Sequence, residues 1–180
     1  DQKFIKEYEK TVNIKVVAPN FEMRYIQSDK EILETINKII RYSDPDPNKE
    51  TIFIWPEGIF AGIYLEDLKK FSNILNKSFS KKHLLIFGIN IQDNFSDEFY
   101  NSLIVSNNNL EILYKYDKKK LVPFGEFIPF NDFFEKFGLK KITQGYGSFS
   151  KGNKQKNFIL NDLNILPLIC YEIIFPNLTQ

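Results

Sequence analysis

The sequence predicts an α/β protein built on a mixed sheet, and three observations carry that reading. Short continuous apolar runs alternate with stretches of helical periodicity. The runs have the length of strands covered on both faces, the pattern of a sheet layered with helices. Beyond the third run come two strands joined by a tight polar turn, which adds a hairpin to an otherwise parallel order.

Taken in order, residues 13–18 read as a short buried strand ending at Pro19. Residues 29–41 place Ile32, Leu33, Ile36, Ile39 and Ile40 at helical spacing, with Ser28 as N-cap. Ser43, Asp44, Pro45, Asp46 and Pro47 make residues 42–50 a loop by composition. Residues 51–55 form a continuous apolar run, a strand buried on both faces. Residues 65–76 predict a second helix, with Leu65, Leu68, Phe71, Ile74 and Leu75 on one side. Residues 84–91 are a strand, and 100–106 and 111–116 a hairpin about Asn107-Asn108-Asn109. Two prolines and a glycine make residues 118–130 irregular. A short helix over 131–137, a long loop over 138–156 and two strands, 158–160 and 165–170, complete the chain. No internal repeat or linker divides it.

Its 180 residues suit one domain, and 43% apolar with 16% aromatic residues suffices for a buried core. With 24 Lys and Arg against 23 Asp and Glu, net +1, there is no global electrostatic case for nucleic acid. One Cys excludes an intramolecular disulfide framework, and one Cys with one His excludes a thiolate-rich zinc site. The opening residues 1–10 are polar and charged, unlike a signal peptide. No apolar run approaches the roughly 20 residues of a membrane helix, so any membrane anchor is expected outside this chain.

Three segments carry chemistry. Trp55-Pro56-Glu57-Gly58 puts a carboxylate directly after a buried strand, where α/β sheets gather their sites. Residues 116–126, Tyr-Asp-Lys-Lys-Lys-Leu-Val-Pro-Phe-Gly-Glu, put three lysines after the hairpin. In Pro167-Leu168-Ile169-Cys170-Tyr171-Glu172 the only Cys closes an apolar strand. Taken singly, each has an ordinary reading: a loop glutamate facing water, a solvated basic turn, an inert buried thiol. Together they supply a complete acyl-transfer set. Cys provides a nucleophile, Glu a proton acceptor and Lys an oxyanion donor. A glutamate in a low-dielectric site, its pKa raised toward neutrality, removes the need for His.

Glu, then Lys, then Cys at strand ends, at spacings of 61 and 52 residues, resembles the nitrilase superfamily. The wording is narrower. Trp-Pro-Glu, Tyr-Asp-Lys with Leu-Val-Pro-Phe-Gly-Glu-Phe-Ile-Pro, and Ile-Cys-Tyr-Glu-Ile-Ile-Phe-Pro resemble the apolipoprotein N-acyltransferase family. Val17-Ala18-Pro19-Asn20 is similar to that family's opening strand and turn, and residues 145–152 to the loop before its nucleophile. The resemblance runs from about residue 13 to residue 176.

The resemblance implies an α-β-β-α sandwich with mixed sheets. It implies Glu57 as general base, Lys118 as catalytic lysine and Cys170 as nucleophile, with Glu126, Tyr171 and Glu172 in supporting or substrate-binding roles. It gives Lys119 and Lys120 no such role. The implied reaction moves a fatty acyl group from a phospholipid to the N-terminal cysteine amine of a lipoprotein, through a Cys thioester. No metal and no organic cofactor is implied. The implied place is the periplasmic side of a bacterial inner membrane. A soluble amidase of the same superfamily, and a non-catalytic remnant or interaction domain, are the alternatives. In the family the chain continues past the nucleophile with more helix and sheet and is preceded by membrane helices. Residues 1–180 are therefore expected to be a catalytic domain lacking its C-terminal third and any membrane helices, and by themselves to fold poorly and be inactive.

Lys118 alone keeps the family's eight-residue spacing to Glu126. Lys118→Ala in the full-length protein is expected to lower the acylation rate roughly 10²–10³-fold, the scale of one oxyanion donor. Lys119→Ala and Lys120→Ala should each cost little in the same assay.

Overall fold

The computed structural model describes residues 12–18, 20, 27–93, 95–127, 148–153, 157–160 and 163–178. The element order is β1 (Asn13–Val16), α1 (Asp29–Ser43), β2 (Thr51–Ile54), α2 (Leu65–Lys69), α3 (Ser72–Ser78), β3 (His83–Asp93), β4 (Glu98–Ser106), β5 (Ile112–Asp117), β6 (Phe158–Leu160) and β7 (Leu163–Ile165). The first five strands form one sheet in chain order, and β6 and β7 pair separately. β1, β2 and β3 run parallel, whereas β3–β4 and β4–β5 are antiparallel. This is the mixed sheet the sequence predicts.

The period-two alternation of the strands sorts side chains onto two faces. Phe53, Trp55, Leu85, Phe87, Ile89 and Ile104 pack with Ile32, Ile36 and Ile39 of α1 and with Leu65, Leu68 and Leu75 of α2 and α3. Four rings tighten this layer: Trp55 stacks on Phe87 at 5.2 Å and meets Phe60 and Phe79 edge-on or tilted. On the other face Ile52, Ile86 and Val105 form a smaller cluster under Phe158 and Leu160 of the β6–β7 hairpin.

Helix α1 begins as expected at Ser28. Its Oγ accepts from the Glu31 amide, and the Glu31 carboxylate accepts from the Ser28 amide at 2.8 Å, a reciprocal capping box. The helix runs two residues past the predicted end and stops at Asp44 in the left-handed conformation, φ 41°. Ser43 at its last turn accepts a 3.1 Å hydrogen bond from the Trp55 indole, tying the helix end to the sheet.

Four expectations are corrected. Residues 65–76 are two short helices, because the amides of Lys70, Phe71 and Ile74 turn to tighter i to i−3 bonds. β1 is an edge strand rather than a buried one: Ile14 and Val16, opposite Ile52 and Ile54, are 54% and 69% exposed. The last strand spans Leu163–Ile165, not 165–170. Pro167 has no amide to donate, and the Ile169 amide donates to the Glu172 carboxylate at 2.9 Å. Cys170 consequently opens a 3₁₀ turn, Cys170–Ile174, and does not close a strand. The expected helix over 131–137 and most of the expected loop over 138–156 lie outside the described residues. Among the described residues, no helix is long and apolar enough to cross a membrane.

Ser28→Ala should remove the hydroxyl that caps the Glu31 amide, leaving the backbone half of the box, and lower stability by about 1 kcal/mol, read from the midpoint of a denaturant titration of the full-length protein.

Candidate active site

The site gathers at the end of the sheet where the parallel strands finish. β2 ends at Ile54, and Glu57 starts a 3₁₀ turn three residues later. That turn lies against β3 so closely that a Cβ on Gly88 would stand 2.7 Å from the Glu57 carbonyl oxygen. Only glycine admits the approach. β5 ends at Asp117, and Lys118 is the next residue. The three expected catalytic residues, far apart in sequence, meet here.

Lys118 is the centre of the arrangement. Its side chain is only 2% exposed, yet it carries an ammonium. Nζ donates to Glu126 Oε1 at 3.0 Å, and lies 4.0 Å from Glu57 Oε1. It also sits 5.5 Å from the centre of the Tyr171 ring. Glu126 is held in turn by the Asn101 amide at 2.9 Å and the Val122 backbone amide at 2.9 Å. The Tyr171 hydroxyl donates to the Leu121 carbonyl at 2.7 Å, which fixes the ring under the ammonium.

Glu57 differs from Glu126. Its side chain is 43% exposed and faces an open cleft of about 180 Å³ lined by Ile54, Ile86, Gly88, Leu103, Leu168 and Cys170 among others. Loss of water around the carboxyl raises its pKa above 4.5. The Lys118 charge opposes that rise, Glu126 adds to it, and hydrogen bonds with Asn101 and Cys170 oppose it. Cys170 is an exposed free thiol on the same cleft. Its backbone is left-handed, φ 56°, a conformation that strains any side chain bearing a Cβ. Such outliers persist where surrounding structure over-determines them, at a cost of about 1–3 kcal/mol.

What over-determines Cys170 is Glu172. This carboxylate is fully buried. It accepts from the Ile169 amide at 2.9 Å, from the Lys119 and Lys120 amides at 2.8 and 2.9 Å, and from the Tyr116 hydroxyl at 3.0 Å. One anion thereby joins the Cys170 turn to the Lys118 loop. Burial and the Glu172 charge push the Tyr116 hydroxyl well above its usual pKa, so it stays a donor. Lys119 and Lys120 act through their backbone amides, a use that side-chain reading assigns no role.

Four further residues went unrecognised in the sequence. Asn101, on β4, donates to Glu126 and helps hold down the Glu57 pKa. Tyr116, Gly88 and Gly152 are the others. Tyr116 sits inside the Tyr-Asp-Lys motif and Gly152 closes the 145–152 segment, so both lie where the family wording already pointed; Asn101 and Gly88 carry no local signal. The single His83 has no place in this site. It is buried at the other end of β3, with Nδ1 accepting from the Ser80 amide at 3.0 Å and Nε2 facing the Asp46 carbonyl at 2.9 Å. Among the described residues, no cluster of three His, Cys, Asp or Glu is placed to hold a metal ion.

No protein-family model matches the chain. The chain is 28% identical over 174 residues to an apolipoprotein N-acyltransferase of Allorhizobium ampelinum, covering 92% of this chain and 33% of the relative. It is 30% identical over 181 residues to that of Rhodopseudomonas palustris, with the same coverage. To that of Bradyrhizobium diazoefficiens it is 35% identical over 132 residues, 70% of this chain and 24% of the relative. The chain belongs to the apolipoprotein N-acyltransferase family. It spans about a third of the length of the relatives that match it over most of its residues. Among solved structures, a carbon-nitrogen hydrolase from Helicobacter pylori superposes with TM-score 0.57 at 18% identity, covering 93% of this chain and 54% of that one. An amidase from Nesterenkonia sp. gives 0.59 at 13%, covering 93% and 58%. These show the nitrilase-like fold that the family resemblance implies.

Glu172→Gln keeps the shape but turns an amide NH₂ toward backbone donors. It is expected to lower stability by about 3 kcal/mol, because buried donors lose a charged acceptor. A denaturant titration of the full-length protein checks this.

Proposed function

We propose that this chain is the nitrilase-like catalytic domain of an enzyme that acylates the N-terminal cysteine amine of a bacterial lipoprotein with a fatty acyl group from a phospholipid. The observation that carries the proposal is a thiol and a carboxyl of raised pKa on one cleft, with a buried ammonium 4.0 Å from that carboxyl. The family relationship supports the choice of donor and acceptor. The same relationship supports a place on the periplasmic side of the inner membrane, held there by segments outside this chain.

In the first half-reaction the Glu57 carboxylate takes the proton from Cys170 Sγ, and the thiolate attacks the ester carbonyl carbon. The C–S bond forms and the carbonyl electron pair moves onto oxygen. Lys118 has three N–H donors, so it can keep Glu126 and still present one to that oxyanion. The backbone amide following Cys170 supplies a second donor. Collapse breaks the ester C–O bond, and the leaving glycerol oxygen takes the proton from Glu57. Lysophospholipid departs and a thioester remains on Cys170. In the second half-reaction the lipoprotein amine attacks the thioester carbon. Glu57 accepts the amine proton, the C–S bond breaks, and the proton returns to Cys170. The site's own groups balance every step.

Incubating the full-length protein with phospholipid labelled in its acyl chain should give a labelled, hydroxylamine-sensitive enzyme, and Cys170→Ala should abolish the label. Label that persists in Cys170→Ala would sink the nucleophile assignment. Hydrolysis of small amides with no acyl-enzyme from phospholipid would favour the amidase alternative. Because Glu57 must be ionised to accept the thiol proton, the acylation rate should fall as pH drops through its raised pKa. The acid limb should therefore have its midpoint above 4.5.

A further inference from the structure

The Lys118–Glu126 ion pair is held through its backbone as well as through its side chains. Residues 148–153 have no regular structure, yet three of their amides donate to carbonyls around the pair. Phe149 donates to the Glu126 carbonyl at 2.8 Å. Ser150 donates to Phe99 of β4 at 2.7 Å. Gly152 donates to the Lys118 carbonyl at 3.0 Å. On its other side the Lys118 amide donates to Asn101 of β4 at 2.9 Å. Both ends of the ion pair are thus tied by main chain to one short segment, which is itself tied to β4.

At Gly152 the contact leaves no room for a side chain. A Cβ there would stand 2.0 Å from the Asp117 carbonyl oxygen, 2.7 Å from its carbon and 2.9 Å from the Asp117 Cβ. Two of those atoms are backbone, which cannot swing aside as the end of a flexible chain would. Asp117 is fixed further by Ser102 Oγ at 2.6 Å and Lys115 Nζ at 2.9 Å. An added methyl would therefore push apart the segment and the 117–118 peptide.

We infer that residues 148–153 are a positioning clasp for the Lys118 ammonium, with Gly152 the residue that lets the clasp close. The clasp contributes no group to the reacting atoms. It fixes the backbone from which Lys118 and Glu126 project, and so fixes where the ammonium lies relative to Cys170. Electrostatic help to a developing oxyanion depends steeply on that placement, because a donor must lie within hydrogen-bond distance of the transition-state oxygen. The inference rests on the proposed role of Lys118, and the test separates the two.

The test uses the full-length protein with labelled phospholipid as acyl donor. Gly152→Ala should lower kcat for acylation about 10–100-fold and change KM less than about twofold, since an interaction made in the transition state is lost. The double variant Gly152→Ala with Lys118→Ala should be no slower than Lys118→Ala alone, because the clasp acts only through the lysine. A general structural defect would instead multiply the two losses, and that result would overturn the inference, as would a Gly152→Ala enzyme with unchanged kcat. If Lys118→Ala is itself fully active, the proposed mechanism fails and the clasp with it. A damaged Lys118→Ala beside a normal Gly152→Ala removes the clasp alone. Should Gly152→Ala not fold, hydrogen exchange in the unaltered protein decides. The amides of Phe149, Ser150 and Gly152 should exchange as slowly as those of the β4 ladder, and exchange at the rate of an open loop would overturn the inference.

Discussion

The arrangement of this site depends on keeping one ammonium out of water. A lysine 2% exposed is stable as a cation only where opposite charge and hydrogen bonds replace its hydration. Glu126 supplies the charge at 3.0 Å, and the Tyr171 ring adds its negative face at 5.5 Å. Each of these needs its own support. Glu126 is aimed by Asn101 and by the Val122 amide within the 122–127 turn. Tyr171 is aimed by the Leu121 carbonyl. The irregular course of residues 118–127 follows from these demands. A regular strand would spend the Val122 amide on a neighbouring strand and leave Glu126 without it.

A second buried charge ties the lysine loop to the thiol. Glu172 gathers amides from residues 119, 120 and 169 and the Tyr116 hydroxyl around one carboxylate. Backbone amides converging on an anion make a concave site of partial positive charge without any cationic side chain. Two chain segments about fifty residues apart are thereby joined through a group outside the cleft. The left-handed backbone at Cys170 is a consequence. Ile169 and Glu172 are both committed to this node, and the two residues between them must turn within the space that remains.

The sequence made the succession of elements, the mixed sheet and the candidate residues of the site legible, and for physical reasons not everything else. Strands 51–55 and 84–91 announced themselves because burial on both faces demands uninterrupted apolar residues. The Ser28 cap was readable because capping chemistry is local. Glu57, Lys118, Cys170, Glu126, Tyr171 and Glu172 were legible through family wording, and the structure places them together. Asn101 was not, because one Asn in a strand looks like any other polar residue until its neighbours across the fold are known. The end of the last strand was misjudged for a related reason. The apolar run 165–170 has strand composition, but the Ile169 amide finds its acceptor in a side chain three residues on, which no periodicity records.

Three carboxylates share this small volume, and what separates them is the number of donors each receives. Glu172 takes three backbone amides and a phenol, and Glu126 an ammonium, an amide side chain and a backbone amide. Glu57 is different. The Lys118 ammonium stays at 4.0 Å, beyond a good hydrogen bond, and its desolvation outweighs the help it receives, so its pKa rises. It is also the one of the three that faces the cleft and the thiol. The carboxyl suited to trading a proton is the one the fold leaves least satisfied. The other two support the ammonium and the turn that the proposed chemistry uses. Lys118 links these tasks: it pairs fully with Glu126, and its looser approach to Glu57 limits the rise in pKa without removing it.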